Sequence, residues 1–351
     1  AINGSYYNTS TGEPYGGIVH SGSYDKRYDN VSGQSGFMWD LNGVPSMGLC
    51  VTHDGYKNFV TYANSNTQNF QGINEAPGDG QLTIFTSQYD DSTGTGSTVS
   101  EVVVRLDRPF LIMPSPNSVS GTVVDIRQNQ GDASIPFDCI VLSAEGSAET
   151  TMLSNVSLND TIDVSQEIRH FMADCSTSRS GIDWTKAYAG VSGNWVFLRD
   201  GVIQYGIDET GDRHPRTAIG FNSSYVFYLV VDGRQTGYSI GMTIDELAEF
   251  FKNTLGATWA CNQDGGGSST MVINGSVVNS PSDGSERAVS NGMLMCNSVS
   301  KSQSTTFATD ELVQTTGSAN VRLGPGTNYA AITTVSSGTE GTILDHSLMG
   351  V

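Results

Sequence analysis

Short runs rich in Val, Ile, Phe and Tyr, separated by clusters of Gly, Asn, Asp and Ser, constrain the fold of this chain more than any other feature. Such runs are typical of β-strands joined by turns. They cover residues 81–86, 99–106, 122–126, 139–143, 195–198 and 225–231. Pairs of residues that tolerate positive φ fit hairpin turns. These pairs are Asn42-Gly43, Asp200-Gly201, Asp232-Gly233 and Asn274-Gly275.

One segment clearly predicts a helix. Thr243 and Glu246 have the spacing of a capping box, in which each side chain bonds the backbone of the other residue. Gly256 supplies the stop. The apolar face between them consists of Leu247, Phe250, Phe251 and Leu255. A second possible helix, at 166–172, is ambiguous from the sequence. Many strands and few helices, in no regular alternation, predict an α+β fold built on a strand-rich mixed sheet.

Composition narrows the class of protein. The 351 residues suit two domains or one large one, and the formal net charge of −19 disfavours nucleic acid and anionic membranes. Charged residues make up only 15% of the chain, which is common in extracellular proteins. We therefore expect an extracellular or cell-wall location. No run of about 20 apolar residues is present, so no membrane span is expected.

The five cysteines are Cys50, Cys139, Cys175, Cys261 and Cys296. None forms a Cys-x-x-Cys pair, which disfavours a zinc knuckle or a redox motif. The odd count leaves at least one thiol unpaired within the chain. Mostly buried free thiols are the first interpretation, and one or two disulfides, favoured by export, are the alternative.

The last part of the chain differs from the rest. Residues 299–315 are crowded with Ser, Lys, Gln and Thr and predict a linker. Beyond it, the run from Asn320 to Tyr329 resembles the opening of bacterial SH3 domains, whose signature is Asn-Val-Arg-x-Gly-Pro-Gly-x-x-Tyr. A barrel of that kind needs about 55–65 residues, so 316–351 is expected to form a partial SH3-like β-barrel. The first domain is assigned to 1–298 and is expected to be incomplete at its N-terminus.

The chemistry is concentrated between Arg216 and Met295. Asp264 is expected at a strand end, directly before three glycines and a run of Ser and Thr. Such a loop exposes backbone N–H groups and hydroxyls with no Cβ in the way, which suits an anion or a sugar phosphate. A flexible linker is the alternative for this loop, and a plain turn is an equal alternative for Asp232-Gly233.

Four blocks of this region resemble the phosphodiester glycosidase family. They are Pro-Arg-Thr-Ala-Ile-Gly at 215–220, Val-Asp-Gly-Arg at 231–234, Asn-x-Asp-Gly-Gly-Gly-Ser-Ser-Thr-Met at 262–271 and Glu-Arg-x-Val-x-Asn at 286–291. The opening Ala-Ile-Asn-Gly-x-Tyr-Tyr resembles a further block of the family, with Ser5 in place of a glycine. The resemblance covers residues 1–297 and is strongest from 215 onward. Gln263 departs from the aliphatic residue usual before the Asp.

The resemblance implies hydrolysis of the bond between a sugar's anomeric carbon and a phosphate. An oxocarbenium-like state is stabilised by a carboxylate, and arginine suits the phosphate. Asp264 is the candidate nucleophile or base, while Asp232 and Glu286 are second carboxylates or partners that hold arginines. The candidate ligands of the sugar or phosphate are Arg216, Arg234, Arg287, Asn3, Gly265, Gly266, Ser268, Ser269 and Asn291.

No cofactor is expected from these motifs. Clusters of Asp and Asn would accept Ca²⁺, but no EF-hand-like spacing supports it. The expected partners are a glycan phosphodiester as substrate and, through the SH3-like segment, peptidoglycan or another wall polymer. A non-catalytic wall-binding or structural protein is the rival interpretation. An esterase that uses Ser268 or Ser269 lacks an evident base.

Overall fold

The computed structural model describes residues 1–20, 23–26, 28, 35–40, 43–53, 58–107, 118–165, 168–171, 187–295, 312–322 and 331–342. Within these ranges the chain is mostly β-structure. The strands in chain order are β1 (Ile2–Asn3), β2 (Ile18–His20), β3 (Ser23–Lys26), β4 (Ser35–Asp40), β5 (Pro45–His53), β6 (Phe59–Thr61), β7 (Thr67–Asn69), β8 (Gly72–Ile73), β9 (Leu82–Thr86), β10 (Ser100–Leu106), β11 (Ser118–Arg127), β12 (Cys139–Ala144), β13 (Thr161–Ser165), β14 (Ile168–Phe171), β15 (Ala187–Arg199), β16 (Val202–Ile203), β17 (Arg216–Phe221), β18 (Val226–Val231), β19 (Trp259–Asn262), β20 (Val272–Ile273), β21 (Ser276–Val277), β22 (Gly292–Met293), β23 (Leu312–Gln314), β24 (Ala319–Arg322), β25 (Ala331–Val335) and β26 (Glu340–Thr342). The α-helices are α1 (Gly146–Asn155) and α2 (Ile244–Glu249).

The first large sheet has eight strands in the order β7-β6-β13-β11-β10-β12-β9-β8. Its neighbours are antiparallel except for β8 and β9, which run parallel. Alternate side chains of the central strands, such as Val102 and Val104, are fully buried in one apolar core. Helix α1 covers part of this core with Ala148 and Met152.

The second large sheet has ten strands and carries the predicted site. Its main path is β14-β5-β4-β15-β19-β17-β18; β2 and β16 also pair with β15, and β3 pairs with β2. Strand alternation gives the sheet two apolar faces. On one face Ile219 and Cys261 pack with Ile2, whereas on the other Ala218 and Ala260 pack against α2.

Helix α2 begins as the sequence predicts. The Thr243 side chain accepts from the Glu246 N–H, and the Glu246 carboxylate accepts from the Thr243 N–H, which completes the capping box. The helix continues as a π-helical turn over Phe250–Thr254. Gly256 follows with φ +65°, so the glycine stop is confirmed.

The strand-rich prediction is confirmed, since every run predicted as a strand overlaps one. Asp200-Gly201 and Asn274-Gly275 turn the hairpins β15–β16 and β20–β21 with positive φ at both residues. Asn42 lies outside the described residues. Two expectations need correction. The ambiguous segment 166–172 forms a strand where it is described, Ile168–Phe171, and Asp232-Gly233 is not a hairpin because β18 leads to α2.

The N-terminal strand reaches the predicted site through long-range pairing. Ile2 and Asn3 pair with Met293 and Gly292 in β1–β22. The Asn3 N–H donates to Thr270 O at 3.3 Å, and the Gly4 N–H donates to Asn291 O at 2.9 Å. Residues near both ends of the first domain are therefore brought to the segment that follows β19.

The C-terminal segment forms two small antiparallel sheets, β23–β26 and β24–β25. Much of the predicted linker, 299–311, lies outside the described residues, as do 323–330 and 343–351. Because Leu312–Gln314 is a paired strand, the end of the predicted linker belongs to this β-structure. The partial SH3-like barrel stays a prediction.

The described cysteines include both free thiols and a disulfide-bonded residue, so each of the two interpretations holds in part. Cys139 and Cys261 are buried free thiols, and burial raises the pKa of Cys261 to about 12. Cys50 takes part in a disulfide bond. Cys175 and Cys296 lie outside the described residues.

Candidate active site

Asp264 stands two residues beyond the end of β19, and its backbone is fixed on both sides. Its N–H donates to Gly4 O at 3.0 Å, and its C=O accepts from Asn3 Nδ2 at 2.7 Å. The adjacent Gln263 N–H donates to Thr217 O at 2.8 Å. The half-buried carboxylate is thus held by backbone contacts that do not use its own oxygens.

The three glycines after Asp264 are required by close approach. A Cβ on Gly265 would lie 2.8 Å from Pro215 O, and one on Gly267 would lie 2.0 Å from Arg287 Nη2. Gly266 has φ +61°, which a side chain rarely adopts. Gly266–Ser268 form a single 3₁₀ turn. The loop is therefore an ordered part of the site, and the flexible-linker alternative does not fit this geometry.

Two of the predicted arginines rest on this loop. Arg234 Nη1 lies 3.1 Å from the position a Cβ would take on Gly266, and Arg287 covers Gly267 in the same way. Asp283 holds Arg287 through Oδ2, at 3.0 Å from Nε and 2.6 Å from Nη2. Arg234 Nη2 contacts His214 Nδ1 at 3.3 Å. Two guanidinium groups therefore converge on the glycine turn.

Arg216, the third predicted arginine, is 5% exposed and forms an ion pair with Asp208. Its Nε donates to Met242 O at 2.9 Å, and its Nη2 donates to Asp212 O at 2.8 Å. Its Nη1 donates to none of the described residues. A buried arginine with one open edge is suited to a single hydrogen bond to an anion, while its remaining donors hold the surrounding loops.

Burial raises the pKa of the Asp264 carboxyl above its ordinary value of 3.8. The Ser268 hydroxyl, the Gly265 N–H and the charge of Arg287 oppose this rise. The Ser268 hydroxyl approaches the carboxylate without reaching normal hydrogen-bond geometry. A carboxyl with a raised pKa and nearby cations is typical of functional sites, because its proton can be exchanged during a reaction.

Tyr6 belongs to the same cluster. Its hydroxyl accepts from Asn262 Nδ2 at 2.9 Å. Burial and the neighbouring charge of Asp264 raise the pKa of Tyr6 to about 12, while Arg216 opposes the rise. The phenol therefore keeps its proton at neutral pH and can act as a hydrogen-bond donor.

Buried polar atoms without partners collect around the glycine loop. Buried polar groups are nearly always hydrogen-bonded, so a cluster of exceptions sets this loop apart from the rest of the interior. These atoms are Asn262 Oδ1, Gln263 Oε1, Ser268 Oγ, Ser269 Oγ, Thr270 Oγ1 and Asn291 Nδ2. They include the three predicted ligands Ser268, Ser269 and Asn291.

The two predicted asparagine ligands, Asn3 and Asn291, are both hydrogen-bonded to neighbouring segments. Asn3 is buried, and its Oδ1 accepts from Thr217 Oγ1 at 2.7 Å and from the Thr270 N–H at 3.1 Å. It therefore ties the N-terminal strand to the loop. Asn291 Oδ1 accepts from the Ser5 N–H at 2.8 Å. Its Nδ2 is buried and has no partner among the described residues.

The two further predicted carboxylates, Asp232 and Glu286, differ in their hydrogen bonding. Asp232 accepts from the Ser280 N–H at 3.0 Å and from Asn279 Nδ2 at 2.9 Å. It also accepts from Tyr238 Oη at 3.2 Å. This geometry favours a holding role for Asp232. Glu286 is exposed and forms no hydrogen bond with the described residues.

The sequence motifs did not indicate five residues of this cluster: Tyr6, Asp208, His214, Asn262 and Asp283. Asn262 lies within a quoted block, and Tyr6 lies in the opening one, so position in the blocks was the only available signal. Within the described ranges, no group of three or more His, Cys, Asp or Glu could hold a metal ion. In the same ranges, no helix is long and apolar enough to cross a membrane.

A family model described as phosphodiester glycosidase matches residues 118–295. A search of curated proteins gives no significant match. Two solved structures share the fold. A hypothetical protein from Synechocystis aligns at a TM-score of 0.57 and 16% identity over 82% of this chain and 50% of that one. A protein from Burkholderia pseudomallei, whose name suggests export, aligns at 0.59 and 19% over 82% and 64%.

The catalytic domain of zebrafish N-acetylglucosamine-1-phosphodiester alpha-N-acetylglucosaminidase, auto-inhibited by its pro-peptide, is also similar at 17% identity. The alignment covers 82% of this chain and 92% of that one, but its TM-score of 0.26 is too low to support an inference. The chain spans 50% of the length of the Synechocystis protein and 64% of the Burkholderia protein.

Proposed function

The chain belongs to the phosphodiester glycosidase family, and we propose that it hydrolyses a sugar-1-phosphodiester at the bond between the anomeric carbon and the phosphate oxygen. One observation carries the proposal. Asp264 faces a glycine turn on which Arg234 and Arg287 converge and around which buried polar atoms lack partners. A sugar that bears an anion would use the carboxylate, the guanidinium groups and the hydroxyls together.

The residues divide the work by chemistry. The bond from C1 to the phosphate oxygen breaks, water supplies OH to C1, and the phosphate leaves as a monoester. Asp264 acts on C1 as nucleophile, or on water as base, and stabilises the positive charge that develops there. The phosphate ester is a weak base, so it needs little protonation, and Glu286 is accordingly the less critical carboxylate.

The phosphate is held by cationic and neutral donors. Arg234, Arg287 and the open edge of Arg216 supply charge-assisted hydrogen bonds. Gly265 and Gly266 let Pro215 and Arg234 pack closely against the turn and so shape it for the phosphate, and the hydroxyls of Ser268 and Ser269 bind oxygen atoms without adding charge. Asn3 and Asp232 position this machinery, and Asn291 Nδ2 donates to the sugar or phosphate.

We further propose that the substrate is a surface or extracellular glycan. The disulfide at Cys50 supports this location, because disulfides persist in oxidising compartments. The low fraction of charged residues agrees with it. Anchoring to peptidoglycan or another wall polymer through 316–351 remains a prediction from the sequence.

The test is hydrolysis of methyl phosphodiesters of glucose, galactose, mannose and N-acetylglucosamine, each linked at C1. Release of the free sugar and methyl phosphate from at least one of them is expected. A crystal soaked with the matching sugar-1-phosphate should place the phosphate against the glycine turn. No turnover of any member, together with a phosphate bound elsewhere, would overturn the proposal.

A further inference from the structure

A cleft of about 1070 Å³ lies beside the proposed active site and is separate from the glycine loop. It opens between the two large sheets, where β2, β3 and β15 meet the segments that follow β8 and β9. Its volume is at the upper end of small-molecule pockets, which span about 300–1,000 Å³. It touches the proposed site at one edge only, through Ser290 and Asn291.

The charges of the described residues in this cleft disfavour a second phosphate site. Of the described residues that line it, Lys26 alone carries an ammonium or guanidinium group. The Lys26 side chain is 7% exposed, and its Nζ is held by Glu13 at 2.6 Å and by Glu75. Burial by itself lowers the pKa of Lys26, but these two carboxylates outweigh it and raise that pKa. The ammonium group is thus already neutralised, and the surplus carboxylate repels anions.

One of the residues that line the cleft, Asp25, has a buried polar atom without a partner. Asp25 Oδ1 is shielded from solvent and forms no hydrogen bond, although the Asp25 C=O accepts from Asn74 Nδ2 at 2.9 Å. Burial raises the pKa of the Asp25 carboxyl to about 8. Near neutral pH this group is mostly an uncharged acid, which can both donate and accept hydrogen bonds.

Aromatic rings supply the other walls. Trp39, Tyr89 and Tyr188 line the cleft. Tyr89 is 45% exposed, and its ring packs edge-on against Phe85 with the centroids 4.8 Å apart. An aromatic ring that is fixed but half exposed offers a flat apolar surface next to polar groups. Sugar rings have that same pairing of an apolar C–H face with a rim of hydroxyls.

We propose that this cleft is a binding site for uncharged sugar units. The aromatic walls take the C–H faces, and Asp25, Glu13 and Glu75 take the hydroxyls. The volume admits more than one ring. That these sugars belong to the glycan whose phosphodiester lies at Asp264 rests on the proposed function, whereas sugar binding in the cleft does not.

The test is a titration of the chain with neutral trisaccharides, maltotriose, cellotriose and chitotriose, followed by calorimetry or NMR. Trigalacturonate is the anionic counterpart of the same length. At least one neutral trisaccharide should bind, and trigalacturonate should bind at least about tenfold more weakly. Failure of all three to bind, or equal binding of trigalacturonate, would overturn the proposal whether or not the chain hydrolyses phosphodiesters.

Two variants locate the binding. Tyr89→Ala removes one aromatic surface and should weaken the Kd by about fivefold. Ala76→Trp adds a bulky side chain at an exposed residue that lines the cleft and should abolish binding. Tyr225→Ala, which removes an exposed tyrosine on the β17–β18 hairpin that does not line the cleft, is the control. Unchanged binding in both cleft variants, with folding verified by circular dichroism, would place the sugar elsewhere and refute the assignment.

Discussion

Replacing Asp264 by Asn removes the charge on which the proposed reaction depends and keeps the shape of the side chain. The bonds that hold the residue, from its N–H to Gly4 O and from Asn3 Nδ2 to its C=O, are made by its backbone. They survive the substitution. We expect kcat/KM to fall by roughly 10³-fold, which is about 4 kcal/mol of transition-state stabilisation.

Whereas the rate should fall, the stability of the Asp264→Asn variant should stay the same or increase. Because burial raises the pKa of Asp264, the folded protein binds this proton more tightly than the unfolded chain. That contribution is full below the unfolded pKa and is lost as pH rises through the folded pKa. At pH 7 the neutral Asn variant should therefore unfold at the same or a higher urea concentration.

The assay is steady-state hydrolysis of a sugar-1-phosphodiester by the purified variant, alongside urea unfolding. Asp125→Asn is the matched control, since Asp125 is exposed in β11 of the other sheet and, among the described residues, accepts only from its neighbour Ile126 N–H. It should behave as the parent protein. A folded Asp264→Asn variant that loses less than about tenfold in rate would refute the catalytic assignment.

Further outcomes follow from the same geometry. Arg287→Ala should lower kcat/KM for the phosphodiester by about 10- to 100-fold through loss of charge-assisted bonds, and a loss below threefold would contradict the phosphate-binding role. Gly267→Ala should give a similar loss, because its Cβ would lie 2.0 Å from Arg287 Nη2 and 2.3 Å from Asp283 Oδ2; near-normal kinetics would show that the turn can relax. Asp232→Ala leaves the Ser280 N–H and Asn279 Nδ2 without this acceptor, so urea unfolding should show about 1–3 kcal/mol less stability; an unchanged midpoint would contradict the holding role. The acid limb of the kcat/KM profile should lie above pH 3.8, since the pKa of Asp264 is raised and the ionised form is the active one; a limb at or below that value would contradict it.

The parts of the fold that depend only on residues close together in the sequence could be predicted from it. The capping box at Thr243 and the Asn274-Gly275 turn are decided within a few residues, so their patterns are sufficient. Helix α1 was missed because its sequence, from Gly146 to Asn155, is rich in Ser and Thr and buries only Ala148 and Met152. Its helical state depends on packing over the first sheet.

The candidate site shows the same division. The glycine turn could be predicted, because three consecutive glycines next to Asp264 indicate a backbone conformation that residues with side chains disfavour. The Tyr6 contact with Asn262 spans 256 positions of sequence, and no periodicity records such a pairing. The ion pair of Arg216 with Asp208 is also tertiary. Asn3 was predicted as a ligand, but only the structure shows that its polar atoms bind Thr217, Thr270 and Asp264.

The most direct test of the central claim is to follow the oxygen of water during hydrolysis. The purified chain is incubated with a sugar-1-phosphodiester in water enriched in ¹⁸O, and both products are analysed by mass spectrometry. Cleavage between C1 and oxygen predicts ¹⁸O in the anomeric hydroxyl of the sugar and none in the phosphate monoester. Incorporation of ¹⁸O into the phosphate would show cleavage between phosphorus and oxygen and would contradict a glycosidase reaction at Asp264.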